Sequence, residues 1–218
     1  MKKVIIFDLD GTLLDTLDDL RLSVNFALSQ FHYPERSREQ VRKDIGNGVA
    51  KLIERSIFAG TLDENYLKCL EIFQESYREK YNIKTTGYPG CFEMLKELKN
   101  EGYIVTVATN KIFDVAKELL DTNYPGIFDY VQGDQPGVKK KPHPDMINHI
   151  LDHYQISKDE ALYIGDTNVD EETALNAGVE YALVTYGYRT TEEIKKSCQC
   201  TTLLNNANEV LNYIKSLR

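Results

Sequence analysis

Near the amino terminus a short apolar run, Val4-Ile5-Ile6-Phe7, leads straight into Asp8-Leu9-Asp10-Gly11-Thr12. Four residues are too few for a helix, and Val4, Ile5 and Ile6 are β-branched, so the run reads as a buried parallel strand. The strand therefore ends on two carboxylates two positions apart, and Gly11 lets the chain turn at once. Two acids at the mouth of an apolar strand are costly unless a cation pairs with them or chemistry uses them. Such a conflict between local rule and sequence is the mark of a functional site.

Beyond Asp15 the periodicity becomes helical. Leu17, Leu20, Val24, Ala27, Leu28 and Phe31 form one stripe, with Asp15 or Thr16 as N-cap. A short helical piece is expected near Ser37 to Lys43, followed by the glycine-rich turn Ile45-Gly46-Asn47-Gly48-Val49. Val49, Leu52, Ile53 and Ile57 restart a helix, and Leu67, Leu70, Phe73, Tyr77 and Tyr81 give another stripe. No strand is predicted between residues 16 and 85.

From Tyr88-Pro89-Gly90 onward helix and strand alternate. Phe92, Leu95 and Leu98 predict a helix, and residues 103–108 a strand. Ile112, Val115, Ala116 and Leu119 predict the next helix, and Tyr130-Val131 a weaker strand. A helix through Ile147, Ile150 and Leu151 precedes a strand at residues 161–164. A helix through Ala174 and Ala177 closes at Gly178, residues 181–184 form the last clear strand, and Val210 to Leu217 a closing helix. This order implies an α/β fold, a Rossmann-like parallel sheet core with helices on both faces. The core is expected to comprise residues 1–15 and 86–218. Residues 16–85 form an all-helical cap domain inserted after the first strand, over the carboxyl end of the sheet, where such folds bind ligands.

The 218 residues, 42% of them apolar, suffice for a sizeable core. The formal charge of -8 argues against nucleic acid or an anionic membrane as partner. No apolar run approaches the roughly 18 residues of a membrane helix. Met1-Lys2-Lys3 before the first apolar run mimics a signal peptide, but that run stops at Asp8. A cytoplasmic protein is expected. Cys69, Cys91, Cys198 and Cys200 match no zinc framework and are expected as free thiols.

Four polar features fall at the carboxyl ends of predicted strands: Asp8 and Asp10; Thr109-Asn110-Lys111; Lys141-Pro142-His143-Pro144; and Gly165-Asp166-Thr167-Asn168-Val169-Asp170. A doubly wound sheet can gather them into one pocket. Crowded carboxylates call for a hard cation, and Mg²⁺ takes oxygen ligands. A carboxylate can attack phosphorus, a second can shuttle the proton, and a lysine with hydroxyl or amide donors can offset phosphoryl charge. Each feature also has a plainer reading. Asp8 and Asp10 could cap, although capping does not explain both before a Gly-Thr turn. Thr109-Asn110 and Gly165-Asp166 could be ordinary turns, and Lys139-Lys140-Lys141 a solvated run. Lys141 is singled out by the prolines that fix its loop. Glu171 and Glu172 are read as favouring a helix N-terminus, His149 and His153 as surface residues, and Tyr186 and Tyr188 as pocket edge or core.

Together these residues resemble the haloacid dehalogenase superfamily of phosphotransferases. Asp8-x-Asp10-Gly11-Thr12, Thr109-Asn110, Lys141-Pro142-x-Pro144 and Gly165-Asp166-x-x-x-Asp170 match its four signature motifs in order. The resemblance implies Asp8 as nucleophile and Asp10 as general acid/base, with Thr12 supporting them. It implies Mg²⁺ held by Asp8, Asp166 and the Asp10 carbonyl, and a phosphoryl group gripped by Thr109, Asn110 and Lys141. Asp170 is implied to orient a metal-bound water or Lys141. The presence of Asp10 departs from the dehalogenase and phosphonate-cleaving branches, which lack that acid.

Within the superfamily, Asp15-Thr16-Leu17-Asp18-Asp19-Leu20 and Ile45-Gly46-Asn47-Gly48-Val49 resemble the phosphoglycolate phosphatase subgroup. Gly46, Asn47 and Gly48 are then a cap specificity loop, or else a mere turn between helices. The resemblance implies a Mg-dependent phosphatase acting on a small phosphorylated metabolite such as a 2-phosphoglycolate-like ester, as a monomer or weak homodimer. The alternatives are a sugar-phosphate mutase, a pyrophosphatase, or a non-catalytic binding module. Ala50-Lys51 after Gly48-Val49 departs from the Gly-Val-Ser-Arg-like cap loop of the mutases.

Overall fold

In the computed structural model the described residues are 2–57 and 65–217. Along the chain run β1 (Val4–Phe7), β2 (Leu14–Asp15), α1 (Leu17–Ser29), α2 (Arg38–Asp44), α3 (Val49–Ile57), α4 (Tyr66–Lys80), β3 (Thr86–Gly87) and α5 (Cys91–Asn100). There follow β4 (Ile104–Ile112), α6 (Phe113–Asn123), β5 (Tyr130–Asp134), α7 (Asp145–Tyr154), a 3-10 turn (Lys158–Glu160), β6 (Ala161–Gly165), α8 (Asn168–Ala177), β7 (Glu180–Val184), α9 (Thr191–Ser197), β8 (Leu203–Leu204) and α10 (Ala207–Ser216).

Six strands form one parallel sheet in the order β5-β4-β1-β6-β7-β8. β1 lies inside it, pairing Val4–Phe7 with Ile104–Val107 on one side and with Ala161–Ile164 on the other. Val4 and Ile6 face α7 and α8, where they join Met146, Ile147, Ile150, Ala174 and Ala177 in one apolar cluster. Alternation sends Ile5 and Phe7 to the opposite face, and they too are buried. Burial on both faces explains why β1 is continuously apolar. The chain leaves β1 for β4 on one side and later crosses to β6 on the other. The carboxyl end of β1 is therefore a topological switch point, where open α/β sheets leave a crevice.

β4 outruns the stretch its apolar residues predict. It continues to Ile112, so Thr109, Asn110 and Lys111 lie within the strand and not in a turn after it. All three are buried, and the register against β5 shifts between Ala108 and Ile112. Polarity signals a turn only where water solvates the polar groups; here protein groups do so. Phe92 is a second correction. It is 37% exposed, and the inner face of α5 is formed by Cys91, Met94, Leu95 and Leu98. β2, β3, β8 and α9 have no counterpart among the predicted elements; the three strands have two residues each, too few to show a periodicity.

The chain divides into two compact units, Met1–Leu14 with Gly87–Arg218, and Asp15–Thr86. The boundaries fall inside β2 and β3, which form a separate two-stranded sheet. In the second unit α1 packs against α4, and Val24, Leu28, Ile53, Cys69 and Phe73 are fully buried. Ser37 caps α2 in a reciprocal capping box with Gln40. Asp19, on α1, is fully buried; its carboxylate accepts from the Ile83, Lys84 and Thr85 N–H groups and from the Thr85 hydroxyl. Residues 58–64, within the region read as all helix and turn, lie outside the described residues. Among the described residues no helix is long and apolar enough to cross a membrane.

Candidate active site

The Asp8 N–H still donates to the Ile164 carbonyl at 2.8 Å, so sheet pairing reaches the first acid. The chain then turns back, with the Leu9 carbonyl accepting from the N–H groups of Leu13 and Leu14 at 2.9 and 3.0 Å. Gly11 sits in this turn at φ +84°, and a Cβ there would lie 2.3 Å from Asp166 Oδ2. A side chain is thus excluded by backbone and by space, which lets the strand-end turns of β1 and β6 close on each other. Asp8, Asp166 and Asp170 are buried, with one carboxylate oxygen from each lying within 4.8 Å of the others.

Lys141 enters this cluster from the loop between β5 and α7. Its Nζ is 2.8 Å from Asp8 Oδ1 and 2.8 Å from Asp170 Oδ1. The run of three lysines divides: Lys139 and Lys140 are exposed, Lys140 pairing with Asp134 at 2.7 Å, while Lys141 is 4% exposed. Asn110 makes the difference. Its Oδ1 accepts from the Lys141 N–H at 2.8 Å and its Nδ2 donates to the Lys141 carbonyl at 3.1 Å, anchoring the loop to β4.

The acids differ in how they are satisfied. Asp170 accepts from five donors: Lys141 Nζ and the Tyr163 hydroxyl on Oδ1, and the Asp166 N–H, Thr167 N–H and Thr167 hydroxyl on Oδ2. Asp166 Oδ2 accepts from the Tyr188 N–H at 2.7 Å, whereas its Oδ1 is buried without a hydrogen bond. Asp8 Oδ1 is buried against the Lys141 ammonium at 2.8 Å. Asp166 therefore keeps an open, buried oxygen in the same cluster as Asp8. A hard oxygen donor left unsatisfied beside a second carboxylate fits a small divalent cation.

Electrostatics point the same way. Burial pushes the Asp8 carboxyl up to about 7, against the pull of Lys141 and with the push of Asp170. Burial, then Asp170 and Asp8, push Asp166 well above the usual carboxylate range. Burial also penalises Asp170, but the charge and hydrogen bond of Lys141 outweigh it and hold this carboxyl low. Lys141 is raised because Asp170 and Asp8 overcome its own desolvation. A cation between Asp8 and Asp166 would do for them what Lys141 does for Asp170.

Other expected site residues have partners of their own. Asp10 is 18% exposed and pairs with Lys111, whose Nζ is 2.8 Å from Asp10 Oδ1. Thr109 is buried, and its hydroxyl accepts from the Lys111 N–H at 3.3 Å. Thr12 is buried, and its carbonyl accepts from the Tyr186 hydroxyl at 3.2 Å. Gly46, Asn47 and Gly48 belong to the second unit, between α2 and α3, where Asn47 Oδ1 accepts from Arg55 at 2.9 Å. Glu171 is a correction. It is buried, and its carboxylate accepts from the Gln199 N–H and the Tyr181 hydroxyl, so it does more than favour a helix terminus.

Lys111 stands in the Thr109-Asn110-Lys111 feature, but nothing local shows that it is buried or that it pairs with Asp10. Two further contributors escape motif reading. Tyr163 looks like an ordinary strand residue, yet its hydroxyl accepts from Lys141 at 3.0 Å and donates to Asp170 at 2.9 Å. Gly187 permits the Tyr188 N–H to reach Asp166, since a Cβ there would lie 2.2 Å from the Gly11 carbonyl and 2.6 Å from Asp166 Cβ. Its signal is a glycine between two tyrosines just past the end of β7.

Residues 5–184 match the family model described as haloacid dehalogenase-like hydrolase. The phosphoglycolate phosphatase of Aquifex aeolicus is 34% identical over 187 residues, covering 85% of this chain and 86% of that protein. The phosphoglycolate phosphatase of Vibrio parahaemolyticus is 35% identical over 204 residues, 89% of each. A crystal structure from Haemophilus somnus, described as a predicted phosphoglycolate phosphatase, superposes with a TM-score of 0.89 at 30% identity, covering 98% of both chains. With that match and those relatives, the chain belongs to the haloacid dehalogenase-like hydrolase family, as an enzyme of its phosphatase branch.

Proposed function

We propose that this enzyme hydrolyses small phosphate monoesters of the 2-phosphoglycolate type through a phosphorylated Asp8, with Mg²⁺ as its cofactor. The observation that carries the reading is the buried cluster of Asp8, Asp166 and Asp170 beside Lys141, with one Asp166 oxygen left open. The names of the relatives support the substrate class.

Asp8, Asp166 and the Asp10 main-chain carbonyl would hold Mg²⁺, which when bound offsets negative charge on the phosphoryl group. A carboxylate oxygen of Asp8 attacks phosphorus as the ester P–O bond breaks. Asp10 gives its proton to the departing oxygen, then takes one from the water that cleaves the acyl phosphate. Lys141, Thr109 and Asn110 bind the phosphoryl oxygens, and Lys141 also favours the ionised form of Asp8 against its burial. Asp170 and Tyr163 hold the Lys141 ammonium in place. On this reading Asp15–Thr86 is the cap domain, Gly46, Asn47 and Gly48 are its specificity loop, and the enzyme works in the cytoplasm.

Phosphate release with Mg²⁺ tests the reading, comparing 2-phosphoglycolate with hexose phosphates, nucleotides and pyrophosphate. Phosphoglycolate should give the fastest release. Asp8→Asn should cut kcat by several orders of magnitude without unfolding the protein, because the group acts only in bond making. Turnover by Asp8→Asn near the wild-type rate would end the proposal.

A further inference from the structure

We infer that Lys111 is a positioning residue for Asp10, aiming its carboxyl at the leaving oxygen of the substrate. The inference rests on the reading of Asp10 as the proton donor. It assigns a separate lysine to each working acid, Lys141 to Asp8 and Lys111 to Asp10.

The pairing carries the argument. The Lys111 side chain is 4% exposed and that of Asp10 18%, so the lysine is the more deeply buried of the two. A buried ammonium is costly without an acceptor, and Asp10 Oδ1 accepts from it at 2.8 Å. The two residues are held differently. Lys111 sits inside β4, with its N–H on the Thr109 hydroxyl. Asp10 lies past the end of β1, in the turn where the Gly11 N–H bonds the Leu14 carbonyl. The strand supplies a fixed point, and the ion pair carries that fixity across to an acid on a turn. Catalysis by a general acid depends on its lying within hydrogen-bond reach of the atom it protonates.

In the first half-reaction the Asp8–phosphorus bond forms, the ester P–O bond breaks, and a proton carried on Asp10 Oδ2, with Oδ1 held by Lys111, passes to the departing oxygen. An alkoxide needs that proton; p-nitrophenolate leaves without it. kcat/KM covers this half-reaction, so the ratio of kcat/KM for an alkyl ester to that for p-nitrophenyl phosphate reads how well Asp10 is placed. The Mg²⁺-loaded enzyme is assayed with 2-phosphoglycolate, ethyl phosphate and p-nitrophenyl phosphate. In Lys111→Met both alkyl-to-aryl ratios should fall at least about tenfold, part of the 10²–10⁴ that a general acid supplies. A smaller change in either ratio overturns the inference. A fall confined to phosphoglycolate also overturns it, because Lys111 would then bind the substrate carboxylate. Lys111→Gln carries the same thresholds should the methionine protein not fold. The readings of Asp10 and Lys111 separate cleanly. Asp10→Asn with wild-type ratios would sink the proton-donor role and this inference with it. Asp10→Asn with lowered ratios, beside unchanged ratios in the Lys111 variants, would sink the inference alone.

Discussion

Replacing Asp166 by Asn should abolish activity yet stabilise the metal-free protein. Asp166 is fully buried, one of its oxygens receives no hydrogen bond, and oxygens of Asp8 and Asp170 lie within 4.8 Å. At that distance each like-charge pair costs about 3.5 kcal/mol at an effective dielectric constant of 20. Lys141 offsets part of this through Asp8 and Asp170. The penalty is also capped, because the carboxyl would take up a proton instead, which from its reference value costs about 4 kcal/mol at pH 7. Asn keeps an oxygen for the Tyr188 N–H and removes the charge. The EDTA-treated variant should therefore gain about 2–4 kcal/mol, or about 5–10 °C in melting temperature for a chain of this size. The sign follows from linkage: a carboxyl whose proton affinity is raised by folding costs stability above its unfolded pKa, and the cost fades as pH falls towards 4. Thermal melts at pH 7 and pH 5 should show the gap narrowing at the lower pH. Mg²⁺ should raise the melting temperature of the wild type and leave the variant unmoved. An EDTA-treated Asp166→Asn protein melting at or below the wild type at pH 7 would refute the reasoning.

Other substitutions have the opposite sign. Lys141→Met leaves Asp8 and Asp170 without their shared cation and should cost about 3–5 kcal/mol, read from urea midpoints in EDTA; an unchanged midpoint would mean that the ion pairs are not formed in solution. Asp19→Ala strips the residue 83–85 turn of its acceptor and should destabilise by about 2–4 kcal/mol. Hydrogen exchange should then quicken at the Ile83, Lys84 and Thr85 amides, and unaltered protection there would show that the turn holds itself.

Residues with work to do in this chain differ in how plainly they show. Asp8 and Asp10 stand out because an apolar strand running into charge violates a local rule, and Gly11 marks the turn that follows. The helix-strand alternation after residue 88 is legible for the same reason: burial on one or both faces leaves a periodic trace in the residues themselves. Tyr163 leaves none, and the motifs that mark Lys111 and Lys141 do not show that these lysines are buried. A lysine is written the same way on a surface or in a core, and Lys140 and Lys141 are adjacent, yet only the second is buried. Thr109, Asn110 and Lys111 read as a turn because their polarity suggests water, whereas their partners come from other parts of the chain.

The amino-acid order alone determined the kind of sheet, the place where β1 meets charge, and the glycine that must follow. Tertiary structure decided which cation faces which acid, that Asp170 is saturated by five donors while Asp166 is left with an open oxygen, and that Gly187 lets a backbone amide reach Asp166. The reason is physical. Periodicity and turn chemistry act over a few residues, but the energy of a buried charge depends on neighbours within a few ångströms, and the fold brings those in from more than a hundred residues away.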